Sequence, residues 1–288
     1  MVLVAPDPVV PARRDTAPGR SQSVELLALL RAQPRVPRFD PGLAGGLRAW
    51  LEDAAFGVAV ARGDGTSPLF AGPRRVLSST DGACHDALSA ARVLSRLVRA
   101  LFRQLVTVGI VGDPLTDALD ALRADGGEDG VVGHVESLAP SPRAVLAETV
   151  RRHAARLRAL VPRFPPSSMP QTEDRLAIPL AGGRVVLGGS IDLLVRAGGH
   201  RESSLCAIGL TTEGPWEAAR RSLHYLALLQ MLRSGVPPSH VALLESATGR
   251  YGVEEIREEH VRAVAAHVAA WLGKQVGEQL GEQVGEDG

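Results

Sequence analysis

Lysine is almost absent from this chain of 288 residues: its one copy, Lys274, lies in a repetitive stretch near the C-terminus. Any chemistry that needs an ammonium group on a folded element must find another cation. Cysteine is scarce too. Cys84 and Cys206 are too few for a four-thiolate zinc or iron–sulfur site, and too few to staple a secreted scaffold. No run approaches the roughly 18 apolar residues of a membrane span, and the opening MVLVAPDPVVPARRD lacks the sustained apolar stretch of a secretion signal. Together these absences predict a soluble, cytoplasmic protein with no membrane partner and no Fe–S cluster. An excess of charge is missing as well. The 32 Lys plus Arg balance 32 Asp plus Glu, so contact with nucleic acid would have to rest on a local patch.

What is present is apolar material, 45% of the residues, enough for one substantial core with a helical subdomain. Arginine carries nearly all the positive charge beside abundant Ala, Gly and Pro, the composition of a GC-rich genome.

Residues 1–20, rich in Pro and Arg without periodicity, read as a disordered leader. The region 21–140 reads as helical. Ser23 can cap a short helix carrying Leu26, Leu27, Leu29 and Leu30, and Asp40-Pro41 places an N-cap before proline at a first helical position. The clearest helix spans about Asp86 to Val108. Its Val93, Leu94, Leu97, Val98, Leu101, Phe102, Leu105 and Val106 recur at i, i+3, i+4, i+7. Asp113-Pro114 and Ser141-Pro142 announce two more by the same cap logic, the second ending near Leu160. In 141–272 the pattern changes. Leu176–Leu180, Arg184–Val195 and Leu205–Thr212 are β-rich runs parted by Gly-Gly turns; a helix over Trp216–Arg233, a strand over Val241–Glu245 and a helix over Arg257–Leu272 follow. The fold class predicted is α/β, a central mixed sheet flanked by helices with a helical N-terminal region. A glycine every fourth residue over 273–288 costs a helix about 1 kcal/mol each, so that repeat reads as a disordered tail.

This order, with the string TEDRLAIPLAGGRVVLGGSIDLLV, resembles the PD-(D/E)xK nuclease superfamily in its RecB-like branch, whose core is restriction-endonuclease-like. The stretch LHYLALLQMLRSGVPP is similar to an actinobacterial group of such nucleases. The resemblance covers about residues 140–272, and 40–110 more loosely. It implies a metal-binding aspartate at Asp192 and an upstream acid at Glu173, holding Mg²⁺ or Mn²⁺ to activate water and stabilise charge on phosphate. The remaining positions of the motif are degenerate. The D-x-K triplet falls on Gly209, Leu210 and Thr211, the Q-x-x-x-Y positions fall on Ser222 and Leu226, and a helix G-x-x-x-H falls on Ser95 and Arg99. Losing one electrostatic stabiliser commonly costs about 10²–10³ in rate, so losing lysine, acid and histidine together implies an inactive site and no cofactor. The only nearby acid on that strand, Glu213, lies some 13 Å from Gly209 at about 3.3 Å per residue.

Arg92, Arg96, Arg99 and Arg103 form a stripe opposite the apolar face of the long helix, a candidate nucleic-acid surface. His224 reads as a surface or packing histidine, and the other histidines show no ligand spacing. The expectation is a degenerate nuclease-like protein serving as a DNA- or protein-binding or scaffolding subunit. Two alternatives stand beside it: an active metal-dependent DNase with an altered site on Glu173 and Asp192, and a protein-interaction module whose cleft is filled, as neutral Gly209 and apolar Leu210 and Leu226 suggest.

Overall fold

The computed structural model of the protein describes residues 22–31, 39–63, 67–77, 89–109, 112–126, 130–164, 169–196 and 205–286. The leader over 1–20, Cys84 and the first residues of the helix expected from Asp86 lie outside the described residues.

The chain is α/β, with a mixed six-stranded sheet flanked by helices. Helices α1 (Gln22–Arg31) and α2 (Leu43–Arg62) precede the short strand β1 (Leu69–Ala71) and helix α3 (Pro73–Leu77). Then come α4 (Ala90–Thr107), α5 (Pro114–Ala124), α6 (Val131–Ser137) and α7 (Pro140–Leu160). Strands β2 (Gln171–Leu180), β3 (Val185–Arg196) and β4 (Leu205–Thr211) form an antiparallel meander. Helix α8 (Trp216–Ser234) crosses over to β5 (His240–Glu245), which runs parallel to β4, and β6 (Arg250–Glu255) and α9 (Glu258–Glu286) complete the chain.

Local chemistry sets several of these boundaries. Ser89 caps α4, its Oγ accepting the Arg92 N–H at 3.2 Å, and Asp113 caps α5 through the Thr116 N–H at 3.1 Å. Two expected caps shift. Asp40 accepts the Gly42 N–H, but α2 begins at Leu43 rather than at Pro41. Helix α7 begins at Pro140 with Ala139 at its N-cap, so Ser141 lies inside the helix; Pro140 already supplies the fixed φ and missing N–H of a first turn.

The sheet separates two apolar layers. On one face α2, α3, α8 and α9 pack against Leu187, Ile191, Leu194, Ala207 and Leu243. On the other, α1, α4, α5, α6 and α7 pack against Leu193, Val195, Cys206, Ile208 and Leu210. The segment before residue 140 thus covers both faces and also adds β1, which pairs in parallel with β3 at Leu69↔Val185 through Ala71↔Leu187. Helix α9 continues through the glycine repeat to Glu286, correcting the reading of 273–286 as disordered; Asp287 and Gly288 lie outside the described residues. Val276 of α9 packs on α2 at Gly57, where a Cβ would come within 3.5 Å of a valine methyl, and this packing outweighs the low helix propensity of glycine.

Strand β3 positions the site. Strands β1 and β4 lie against the same edge of it but at opposite ends, so residues 188–192 belong to neither ladder there. The buried Tyr225 of α8 closes part of this opening, its hydroxyl donating to the Ala71 carbonyl at 2.7 Å. Replacing Tyr225 with Phe strands that carbonyl, and we expect a loss of about 1–2 kcal/mol, measured as a shifted denaturation midpoint with an unchanged slope.

Candidate functional site

At the far end of the same opening, β3 and β4 part after the pair Leu193↔Ile208, and the Asp192 carboxylate enters the gap. Its Oδ2 accepts the Leu210 N–H at 2.7 Å, standing in for a ladder bond. Glu173 on β2 faces Asp192 in register, between the pairs Thr172↔Leu193 and Asp174↔Ile191. The Glu173 backbone is left-handed, with φ +54°, a conformation that costs a non-glycine residue about 1–3 kcal/mol. The two acids named by the sequence are therefore neighbours.

Both acids already hold a cation. Arg99 of α4 places Nη1 3.1 Å from Asp192 Oδ1, while its Nη2 donates to the Leu210 carbonyl at 3.2 Å. Leu210 is thus bracketed by its N–H on Asp192 and its C=O on Arg99. One turn further along α4, Arg103 places Nη1 2.9 Å from Glu173 Oε2, and its Nη2 pairs with Asp125 at the end of α5. The Arg103 Nε is buried with no hydrogen-bond partner among the described residues. Burial pushes the Asp192 carboxyl above the usual carboxylate range; Arg99 and the Leu210 N–H pull against that rise.

The arginine stripe is therefore not uniform. Arg92 and Arg96 sit at exposed positions, as a nucleic-acid surface requires, but Arg99 and Arg103 turn under the sheet and spend their charge on Asp192 and Glu173. Exposure falls along the stripe: the Arg99 side chain is still 39% exposed and that of Arg103 is 16%.

The positions that the resemblance marks as degenerate fill with packing. An added Cβ at Gly209 would meet Leu223 Cδ2 at 2.6 Å, so α8 lies on this glycine and a side chain there would project toward α8 rather than toward Asp192 and α4. Leu226 presses likewise on Gly189 of β3, at 2.4 Å from an added Cβ. The Ser222 hydroxyl donates to the Ala218 carbonyl within α8, and the Thr211 hydroxyl donates to the Glu213 carbonyl where β4 ends. Among the described residues, none of these four positions forms a hydrogen bond or ion pair with Asp192, and an ion there would have to displace two guanidinium groups.

A second constellation escaped the sequence. His224 is buried rather than superficial, and it converges with Glu254 of β6 and His260 of α9. These three elements are brought together only by the β5–β6 hairpin and the return of α9 across the sheet face.

Compared with protein-family models and with curated proteins, the chain matches none.

Proposed function

We propose that the chain is a degenerate PD-(D/E)xK nuclease-like protein that works as a binding or scaffolding subunit, on DNA or on a protein, without cleaving phosphodiesters. The observation that carries this reading is the Arg99–Asp192 pair. Arg99 stands where the family resemblance implies a histidine that helps hold metal, and it reaches the aspartate that the resemblance implies as metal ligand. A guanidinium at 3.1 Å satisfies that carboxylate, Arg103 does the same for Glu173, and these two acids bring no imidazole with which an ion could offset the loss of both pairings. Neither arginine can act as a general base, and neither can position water as an ion does.

The reading as a pure protein-interaction module draws on the same filling: Leu223 and Leu226 occupy the sheet surface beneath α8. It differs in what it expects of Arg92 and Arg96. If the stripe contacts a phosphate backbone, Arg92→Glu with Arg96→Glu weakens DNA binding and flattens its salt dependence. If the partner is a protein alone, the native chain retains no DNA at low salt.

No helix among the described residues is long and apolar enough to cross a membrane; location in the cytoplasm belongs to the proposal. The test of inactivity is a cleavage assay on linear, circular and single-stranded DNA with Mg²⁺ or Mn²⁺, run beside Asp192→Ala. No cleavage by either protein is expected, and no calorimetric signal for Mg²⁺. Cleavage lost in the variant would overturn the reading and make the chain a DNase with a rebuilt site.

A further inference from the structure

The geometry points to a binding site for a divalent first-row transition metal, of the zinc or cobalt type, formed by His224, Glu254 and His260. The site is separate from Asp192 and Glu173 and does not rest on the nuclease-like reading. His224 Nε2 lies 3.0 Å from Glu254 Oε2, His260 Nε2 lies 3.6 Å from Glu254 Oε1, and the three ligand atoms fall within 4.8 Å of one another. A tetrahedral ion with bonds of about 2.0–2.1 Å sets its ligands about 3.3 Å apart, so one fits once ligand atoms now within 4.8 Å of one another close in and one of the stacked rings turns to aim its in-plane lone pair at the ion. The two imidazole rings lie nearly parallel, centroids 4.9 Å apart, with both Nε2 atoms directed at the one carboxylate. Two neutral imidazoles and one carboxylate suit a borderline ion and not Mg²⁺ or Ca²⁺, which take oxygen ligands. The three side chains are 9%, 19% and 16% exposed, so the cluster is largely sheltered from solvent but not sealed. At the rim, Glu259 Oε1 is 4.0 Å from His260 Nε2.

The resident cation is Arg220. Its Nε and Nη2 each donate to Glu254 at 2.8 Å, and against the opposing pull of burial Arg220 and His224 hold the Glu254 carboxyl well below the usual carboxylate range. Metal binding requires Arg220 to let go, and its Nη1 already donates to Glu217 at 3.1 Å, so an alternative partner is in place. It also requires a tautomer change at His224, whose Nε2 donates to the Glu254 carboxylate at 3.0 Å, and at His260. Its Nδ1 accepts the Arg257 N–H at a long 3.3 Å, which leaves the proton on Nε2; the metal-bound ring carries that proton on Nδ1 and gives up the contact. Charge favours the exchange. Around the cluster Glu217 and Glu254 pair with Arg220, and Glu255 and Glu259 pair with Arg257, so a divalent ion would add positive charge where four carboxylates share two guanidinium groups.

The test is a Co²⁺ titration of the tag-free full chain near neutral pH, read by visible absorption and followed by Zn²⁺ competition. A tetrahedral Co²⁺ spectrum displaced by Zn²⁺ is expected. His260→Ala and His224→Ala should each weaken affinity by at least about tenfold, and Arg220→Gln, which removes the competitor, should tighten it by about tenfold, each tenfold being about 1.4 kcal/mol. Absence of a Co²⁺ spectrum at millimolar metal, or binding that survives His260→Ala, overturns the assignment and leaves a metal-free clamp between α8, β6 and α9. Should Arg220→Gln fail to fold, the wild-type and His260→Ala titrations decide by themselves.

Discussion

Arg103→Glu is expected to lower the unfolding free energy by about 3 kcal/mol, a fall in Tm of about 5 °C for a chain of this size. Arg103 lies mostly buried beneath the sheet end and joins Glu173 to Asp125. Reversing its sign brings three carboxylates together, with Asp192 next to Glu173 and only Arg99 left to offset them. Removing one partner of a fully buried pair costs about 3–5 kcal/mol. Glu173 and Asp125 are 34% and 48% exposed, so water screens part of that loss. Arg103→Met keeps the packing of the stem and removes only the charge, and should cost about half as much. Arg92→Glu, at an exposed position, should stay within about 0.5 kcal/mol of the native chain. Denaturant unfolding of the three variants is the measurement. If Arg103→Glu proves as stable as the native chain, the ion pairs do not form in solution and the closed site loses its support. The result also fixes how DNA binding should be probed: weakened binding in Arg103→Glu reflects a damaged fold, so Arg92 and Arg96 are the informative positions.

Restoring the missing motif residues should fail for a related reason. Gly209→Asp combined with Thr211→Lys is expected to destabilise the protein by about 3 kcal/mol or more without producing cleavage. At position 209 the whole Leu223 side chain is in the way, with Cδ2 2.6 Å and Cγ 3.1 Å from an added Cβ. Overpacking of this kind costs about 1–3 kcal/mol. The carboxylate would then sit among apolar groups of the α8 layer, such as Ala207 and Leu243, which adds a desolvation cost. Gly209→Ala isolates the steric part. A double variant that melts with the native chain and cleaves DNA would mean that the site reopens readily, and the proposal of a closed centre would fall.

Much of the architecture was legible along the chain. The apolar stripe from Val93 to Leu105 is buried as its spacing requires, and Asp113 caps the helix it announced. The three β-rich runs became the meander, and the run from Trp216 became α8. Strands β1 and β6 were missed because they carry little pattern. Three residues at Leu69–Ala71 are too few to show alternation, and Arg250–Glu255 is an edge strand of half-buried side chains. The tail was misjudged because local propensity was weighed without α2, the surface that holds it.

The site was legible in part, and the division is physical. The spacing of apolar and turn residues determined by itself that helices cover a mixed sheet, since burying an apolar face is a property each segment carries alone. A motif brought Asp192 and Glu173 forward for the same reason, as both lie within one hairpin. Which cation meets them could not be read. Arginines four residues apart look the same in sequence whether a helix offers them to water or to the end of a sheet, and only the path of α4 across that sheet turns Arg99 and Arg103 inward. His224, Glu254 and His260 likewise come from three elements remote in sequence. Their encounter is decided by how α8, β6 and α9 pack, because an electrostatic contact depends on distance in space and leaves no periodicity in the chain.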